Sequence, residues 1–204
     1  MFQALINVFR IPELRAKILF TLGMLVVYRL GHWIPIPGIN QDSLKDFFQL
    51  GGGEGAAQRV AQFISVFSGG AFSHSTIFAL GVMPYISASI IVQLFTAVHP
   101  KLKKLQEEGP TGRQKIMEWT RLLSIGLALF QAYGFLQFAS AQSLVYPEQA
   151  ASPMWWVMAL TAMVAGTVFL MWLGEQIDKF GIGNGMSMII MTGIITNIPS
   201  AVLW

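Results

Sequence analysis

Side chains that perform chemistry in proteins are few in this sequence, and they lie far apart in it. The three histidines are His32, His74 and His99, and there is no cysteine. The ligands of a metal, or a nucleophile and its base, must meet at one point, and these histidines fall in separate regions without helical spacing. The sequence therefore predicts neither a metal site nor a nucleophile–base pair, and we expect no enzyme activity and no cofactor.

A different functional pattern lies in the hydrophobic segment FALGVMPYISASIIVQL, residues 78–94. Four of its residues follow one another at i, i+4, i+7 and i+11 and so share one face of a helix: Val82, Ile86, Ser89 and Gln93. This face is apolar at one end and polar at the other, which suits the wall of a pore. The small residues beside it suit close helix–helix packing equally well, so the residues alone leave both interpretations open.

The composition places this segment in a membrane. Hydrophobic residues make up 54% of the 204 positions and charged residues 11%, which is typical of proteins that cross a bilayer several times. Five hydrophobic segments are predicted to span it, at about residues 18–34, 75–98, 119–138, 153–173 and 186–203. We therefore expect an all-α, polytopic membrane helix bundle. No Asp or Glu lies inside these spans, which argues against a proton or cation pump.

A shorter hydrophobic segment precedes the second span and ends at Gly69 and Gly70. Residues 57–67 would form about 16 Å of helix, roughly half of the hydrocarbon layer of about 30 Å, so we expect this helix to enter the membrane and stop. Non-helical backbone at that depth survives only where protein or a water-filled cavity surrounds it. The sequence therefore predicts a re-entrant half-helix at residues 57–74, beside a cavity. A helix on the outer surface, followed by an ordinary span, is the alternative.

The basic residues indicate the orientation of the bundle. The N-terminal segment carries three Lys or Arg, the loop at 99–121 six and the turn at 174–185 one, against two in the loop after the first span and none after the third. Because cytoplasmic loops carry the excess of Lys and Arg, the N-terminus is predicted to be cytoplasmic.

Four motifs resemble, in order and spacing, the N-terminal half of the bacterial SecY family. They are IPIPGI (34–39), FSGGAFS (67–73), FALGVMPYISASIIVQL (78–94) and WLGEQIDKFGIGNGMSMII (172–190). The resemblance covers essentially the whole chain. It implies the central subunit of a protein-conducting channel in the bacterial cytoplasmic membrane, built from ten spans in two pseudo-symmetric halves. With five predicted spans, we expect this chain to be a fragment or one contiguous piece of a longer chain.

The resemblance also implies roles for particular residues. The half-helix and its glycine loop are similar to the plug, which closes the channel from outside and here includes Phe63, Ile64, Phe67, Ser68, Gly69 and Gly70. A hydrophobic pore ring would be formed by Val82, Ile86, Ile190 and Ile194. Ser87 and Gln131 resemble members of a polar patch at the lateral gate.

The implied function is that of a passive pore for secretory and membrane polypeptides, because an apolar ring makes few specific bonds to a passing chain and blocks ions by dewetting. The implied partners are the second half of the channel, the SecE and SecG subunits, the SecA motor or the ribosome, the translocating polypeptide and its signal sequence, and the lipid bilayer. An alternative hypothesis is half of a secondary transporter, whose broken helix would form a midplane substrate site. That site would need converging polar groups, and the break offers only a few serines and His74.

Overall fold

The computed structural model describes residues 11–49, 70–71 and 73–202. The elements there are eight helices, which are α1 (Pro12–Gly31), α2 (Gln41–Gln49), α3 (Met83–Val98), α4 (Pro100–Glu107), α5 (Pro110–Ala141), α6 (Pro147–Ala150), α7 (Pro153–Phe180) and α8 (Gly185–Val202). Between them, the described residues form two isolated bridges and no strand. The predicted all-α fold class is confirmed.

Prolines begin most of these helices. A proline at the first helical position loses nothing, because its missing N–H would have no partner inside the helix and its fixed φ already suits the helix. The helices that begin this way are α1, α4, α5, α6 and α7. The prolines therefore define where these helices begin.

Two helices in the described part of the chain are long and apolar enough to cross a membrane, α5 and α7. They contain 32 and 28 residues, hence about 48 and 42 Å of helix against a hydrocarbon layer of about 30 Å. Shorter apolar helices are α3 and the Gly185–Thr196 part of α8. The number of spans, predicted as five, stays a prediction.

Helix α7 is the centre of the bundle, since it packs against α1, α5 and α8, while α3 packs mainly against α5. Two buried clusters result. The Trp155 cluster lies between α5, α7 and the loops at one end, and its fully buried members include Ala132, Leu136 and Met163. The Val82 cluster lies between α1, α7, α8 and the turns before α3, and consists of Tyr28, Ala71, Phe78, Val82, Leu170, Met171, Leu173, Ile177, Met186 and Ile189.

The second span differs from the sequence prediction, because its helix begins at Met83 and not at Ser75. Positive φ angles at Ser75 (43°) and Gly81 (57°) prevent a helix from running through this stretch. The N–H of Ile36 donates to the carbonyl oxygen of Ser75 at 2.9 Å, so the loop after α1 supplies part of the pairing that a helix would have given. The helical part has 16 residues.

The polar turn predicted at residues 174–185 is also shorter than expected. Helix α7 continues to Phe180, so Glu175 and Asp178 are helix residues and only residues 181–184 turn. The basic loop at 99–121 is likewise mostly helical, formed by α4 and the start of α5 with a reversal at Gly109, where φ is 85°. Hydropathy limits the length of a span but not of its helix, which explains both differences.

Candidate functional site

The chain just before α3 folds into a compact turn. Gly70 has a φ of 84°, which favours glycine, and its carbonyl oxygen accepts hydrogen bonds from the hydroxyl of Ser73 at 2.8 Å and the N–H of His74 at 3.2 Å. The N–H of Thr76 donates to the carbonyl oxygen of Ala71 at 3.1 Å. Ala71 is fully buried in the Val82 cluster. The end of the predicted plug segment is therefore packed against the beginning of the predicted pore helix.

Helices α1 and α7 hold this turn from two sides. The ring of Phe78 stacks on Tyr28 with centroids 6.1 Å apart and covers Gly31, where any side chain would collide with the ring. On the other side, Gly166 of α7 lies against the carbonyl group of Ile77, and a Cβ there would overlap it. Glycines thus permit a close approach at both contacts, which fixes the position of the chain that enters α3.

Two of the four predicted pore-ring residues lie at one apolar cluster. Val82, only 5% exposed, lies at the start of α3 and belongs to the same cluster as Ala71 and Ile189, and Ile190 packs against that cluster. Ile86 is partly buried and Ile194 is 38% exposed, and among the described residues neither is part of the cluster. The N-cap residue of α3 and residues of α8 therefore lie at one apolar cluster next to the turn.

The polar end of the predicted stripe forms a hydrogen bond of its own. The amide of Gln93 donates to the hydroxyl of Ser89 at 3.2 Å, as expected for residues one turn apart on one face. Ser87 and Gln131, predicted at a lateral gate, are both partly buried and lie on α3 and α5, which pack against each other. Their role at such a gate stays a prediction.

Most of the predicted plug falls outside the described residues, namely Phe63, Ile64, Phe67, Ser68 and Gly69. Gly70 is described, and so is the turn that follows it. The histidines do not converge, since His32 lies among Tyr28 and Phe78 whereas His74 and His99 are exposed on other parts of the chain. In the part of the chain that the structure describes, no group of three His, Cys, Asp or Glu could hold a metal ion.

One polar cluster was not singled out from the sequence. The guanidinium of Arg121 on α5 donates from Nε and Nη2 to the two carboxylate oxygens of Glu175 on α7. The side chain of Glu175 is 16% exposed and that of Arg121 is 45% exposed. Tyr85 on α3 packs against the Val82 cluster. The available signal was the presence of opposite charges near the ends of two predicted spans, although the sequence does not show that they pair.

The turn between α7 and α8 is tied to its surroundings by side-chain acceptors. A carboxylate oxygen of Asp178 accepts a hydrogen bond from the N–H of Gly185 at 2.6 Å, and the hydroxyl of Thr21 on α1 accepts one from the N–H of Ile182 at 3.1 Å. The side chain of Asn184 accepts one from the N–H of Ser187 at 3.0 Å and so caps α8. The glycine-rich motif at 181–185 therefore has a structural explanation.

At the other end of the bundle, the IPIPGI motif docks onto the connection between α5 and α7. The indole N–H of Trp155 donates to the carbonyl oxygen of Pro37 at 2.8 Å, and Gly38, with a φ of 90°, leaves the space that the indole occupies. Ile39 and Val145 form an antiparallel bridge. The hydrogen bond and the bridge fix the position of the loop at residues 34–39. The same loop pairs with Ser75 and Thr76.

Comparison with known proteins identifies one family. A family model described as SecY matches residues 76–203. Curated relatives named "Protein translocase subunit SecY" include that of Buchnera aphidicola subsp. Acyrthosiphon kondoi, 45% identical over 93% of this chain and 52% of the relative. That of Escherichia coli K12 is 44% identical over 93% of this chain and 42% of the relative. That of Thermotoga maritima is 42% identical over 98% of this chain and 47% of the relative. The chain thus spans about half the length of these relatives.

Solved structures show the same fold at lower identity. The structure titled "Sec61 in the Canine ribosome-channel complex from the endoplasmic reticulum" matches with a TM-score of 0.65 and 22% identity, over 93% of this chain and 38% of that one. A second, titled "The structure of a protein conducting channel", matches with a TM-score of 0.63 and 22% identity over the same shares of both chains. The helical arrangement described above is therefore that of a known channel fold.

Proposed function

The chain belongs to the SecY family, and from that premise we propose that it forms the N-terminal half of a passive channel through which polypeptides cross or enter the membrane. The curated relatives are named as protein translocase subunits, and this chain spans 42% of the Escherichia coli one. A second half is therefore needed to enclose a path. The comparisons give no support to the alternative, half of a secondary transporter.

The observation that carries this proposal is that Val82 and Ala71 belong to one apolar cluster and that Ile190 packs against it. Val82 is the N-cap residue of α3 and Ile190 lies in α8, so two separate segments of the chain each supply an aliphatic side chain to this cluster. In the proposed channel, these side chains together with Ile86 and Ile194 form the pore ring. Such a ring makes no strong bond to a passing side chain and excludes ions when it is narrow and dry.

The plug is proposed to comprise about residues 57–74, entering the channel from the outside. Support comes from its end, where Gly70 turns the chain and Ala71 is buried beside Val82. A segment that is anchored next to the ring is well placed to cover the ring at rest. Ser87 on α3 and Gln131 on α5 are proposed to line the lateral gate.

The proposed location is the bacterial cytoplasmic membrane, with the N-terminus in the cytoplasm. The relatives named above are bacterial, and the sorting of Lys and Arg favours this orientation. The proposed partners are the second half of the channel, the SecE and SecG subunits, a motor such as SecA or the ribosome, lipid, and the signal sequences and polypeptides that pass. We propose no catalytic residue, so the driving force comes from a partner.

Complementation tests the proposal. In cells depleted of their own channel subunit, this chain is expressed alone, together with a second half from a bacterial relative, or joined to that half. We expect export of a secreted reporter only when both halves are present, because five spans leave one side of the pore ring open to lipid. Export by the chain alone, or its absence with both halves at normal levels, would contradict the proposal.

A further inference from the structure

We propose that Arg121, Glu175 and Asp178 are positioning residues for the pore ring, because they hold two helices to the same stretch of α7, namely α8 and the helix on which α3 packs, α5. This inference rests on the proposed function. We infer that these three polar residues, although they lie away from the ring, determine how closely Val82 and Ile190 approach each other.

The first step is the link between α5 and α7. Arg121 and Glu175 are 54 residues apart in sequence and meet through two hydrogen bonds to both carboxylate oxygens. A two-pronged pair of this kind fixes orientation as well as distance. Since Arg121 is 45% exposed, the pair contributes little to overall stability. Apolar side chains of similar volume would hold the two helices together at least as well. The contribution that we assign to this pair is therefore the orientation of α5 relative to α7, and not stability.

The second step is the link from α7 to α8. Asp178 lies three residues after Glu175, hence almost one turn further along the same helix. Its carboxylate accepts the N–H of Gly185, the first residue of α8, at 2.6 Å. The backbones of Gly174 and Gly185 touch at the same place. The start of α8, five residues before Ile190, is thereby held by the stretch of α7 that binds Arg121.

The third step is the link to α3. Helix α3 packs against α5, the helix that carries Arg121. Tyr85 follows Val82 by three residues and packs against the Val82 cluster. A shift of α5 relative to α7 would be transmitted to α3 through this packing, and a shift of α7 would be transmitted to α8 through Gly185.

The test uses the complete channel, with both halves and its partner subunits, reconstituted in planar bilayers without substrate. We expect Glu175→Gln and Arg121→Gln each to raise the resting ion conductance several-fold at unchanged protein yield, and Asp178→Ala, which removes the acceptor of the Gly185 N–H, to do the same. The charge swap R121E/E175R should return the conductance toward the wild-type value, because it restores the pair. Lys179→Gln is the matched control, since Lys179 is exposed on the same helix directly after Asp178, and it should leave the conductance unchanged.

Wild-type resting conductance in the three single variants would overturn the inference, and so would lower yield and thermal stability without leakage. If Glu175→Gln alone lowers the yield, the double variant R121Q/E175Q removes the pair without leaving a single charge. Leakage in that variant supports the inference, and wild-type conductance overturns it. Export by the wild-type channel in the same preparation tests the proposed function separately, so a failure of that function would show in the wild type and not only in the variants.

Discussion

The backbones of Gly174 on α7 and Gly185 at the start of α8 are in direct contact, and a Cβ on Gly185 would overlap the carbonyl oxygen of Gly174. A Cβ on Gly174 would in turn lie 2.8 Å from the side chain of Met186. Glycine at these two positions lets α8 leave α7 at the closest possible distance. Since Ile190 is little more than one turn into α8, this crossing sets where Ile190 lies relative to Val82.

Replacing Gly185 by alanine should destabilise the protein. The overlapping atom belongs to the backbone of α7 and cannot rotate away, so α7 and α8 must separate, at a cost of about 1–3 kcal/mol. Thermal unfolding of the complete channel in detergent measures the effect. Gly126→Ala is the matched control, because a Cβ there meets nothing within 4 Å and alanine favours a helix by roughly 0.5–1 kcal/mol. Equal stability of the two variants would mean that the close crossing is not required.

The orientation of the bundle can be checked with reporters. A reporter inserted after Gln142, in the loop between α5 and α7, should be active only outside the cytoplasm, and one inserted after Glu108 only inside it. The physical reason is the concentration of Lys and Arg around α4, against none in residues 140–152. If the reporter after Gln142 is active only inside and the reporter after Glu108 only outside, the predicted orientation is wrong, and so is the placement of the plug.

Deletion of residues 62–69 should loosen the closure of the channel without preventing its folding. The deletion ends before Gly70 and Ala71, whose turn and buried packing hold the start of α3. We expect raised ion leakage and export of proteins with defective signal sequences, at normal expression. A deletion of residues 62–74 serves for comparison, since it also removes the turn and should lower expression. Loss of expression in the shorter deletion would identify residues 62–69 as part of the core.

Hydrophobic length predicts the existence of the five longest described helices except for their exact bounds, because it is a local property of the sequence. The start of α3 at Met83 could not be predicted in this way, since it depends on pairing between Thr76 and Pro35, which are distant in the sequence. The extension of α7 to Phe180 was missed for another reason, namely that a helix that leaves the hydrocarbon layer no longer needs apolar residues.

The candidate site was predictable to a different degree in its apolar and polar parts. The i, i+4 spacing of Val82 and Ile86 was visible in the sequence, whereas a ring that also includes Ile190 was expected only from the family resemblance and stays a prediction. The pairing of Arg121 with Glu175 depends on the relative rotation of α5 and α7. Opposite charges in a single sequence do not reveal which of them come within hydrogen-bonding distance.

The pore ring is the central claim, and Ile190 offers the most direct test of it. If Ile190 faces a water-filled path in the complete channel, asparagine there wets the constriction and costs little stability. If Ile190 is an ordinary core residue, the same change buries a polar group without a partner, at about 1–3 kcal/mol. Ile195→Asn is the matched control, on the same helix, 53% exposed and about 140° away around the axis.

The deciding measurement is the resting ion conductance of the Ile190→Asn channel in planar bilayers, recorded beside its purified yield. A pore ring predicts raised conductance at the wild-type yield, with the Ile195→Asn channel remaining closed. Low yield with wild-type conductance would contradict the ring and assign Ile190 to helix packing.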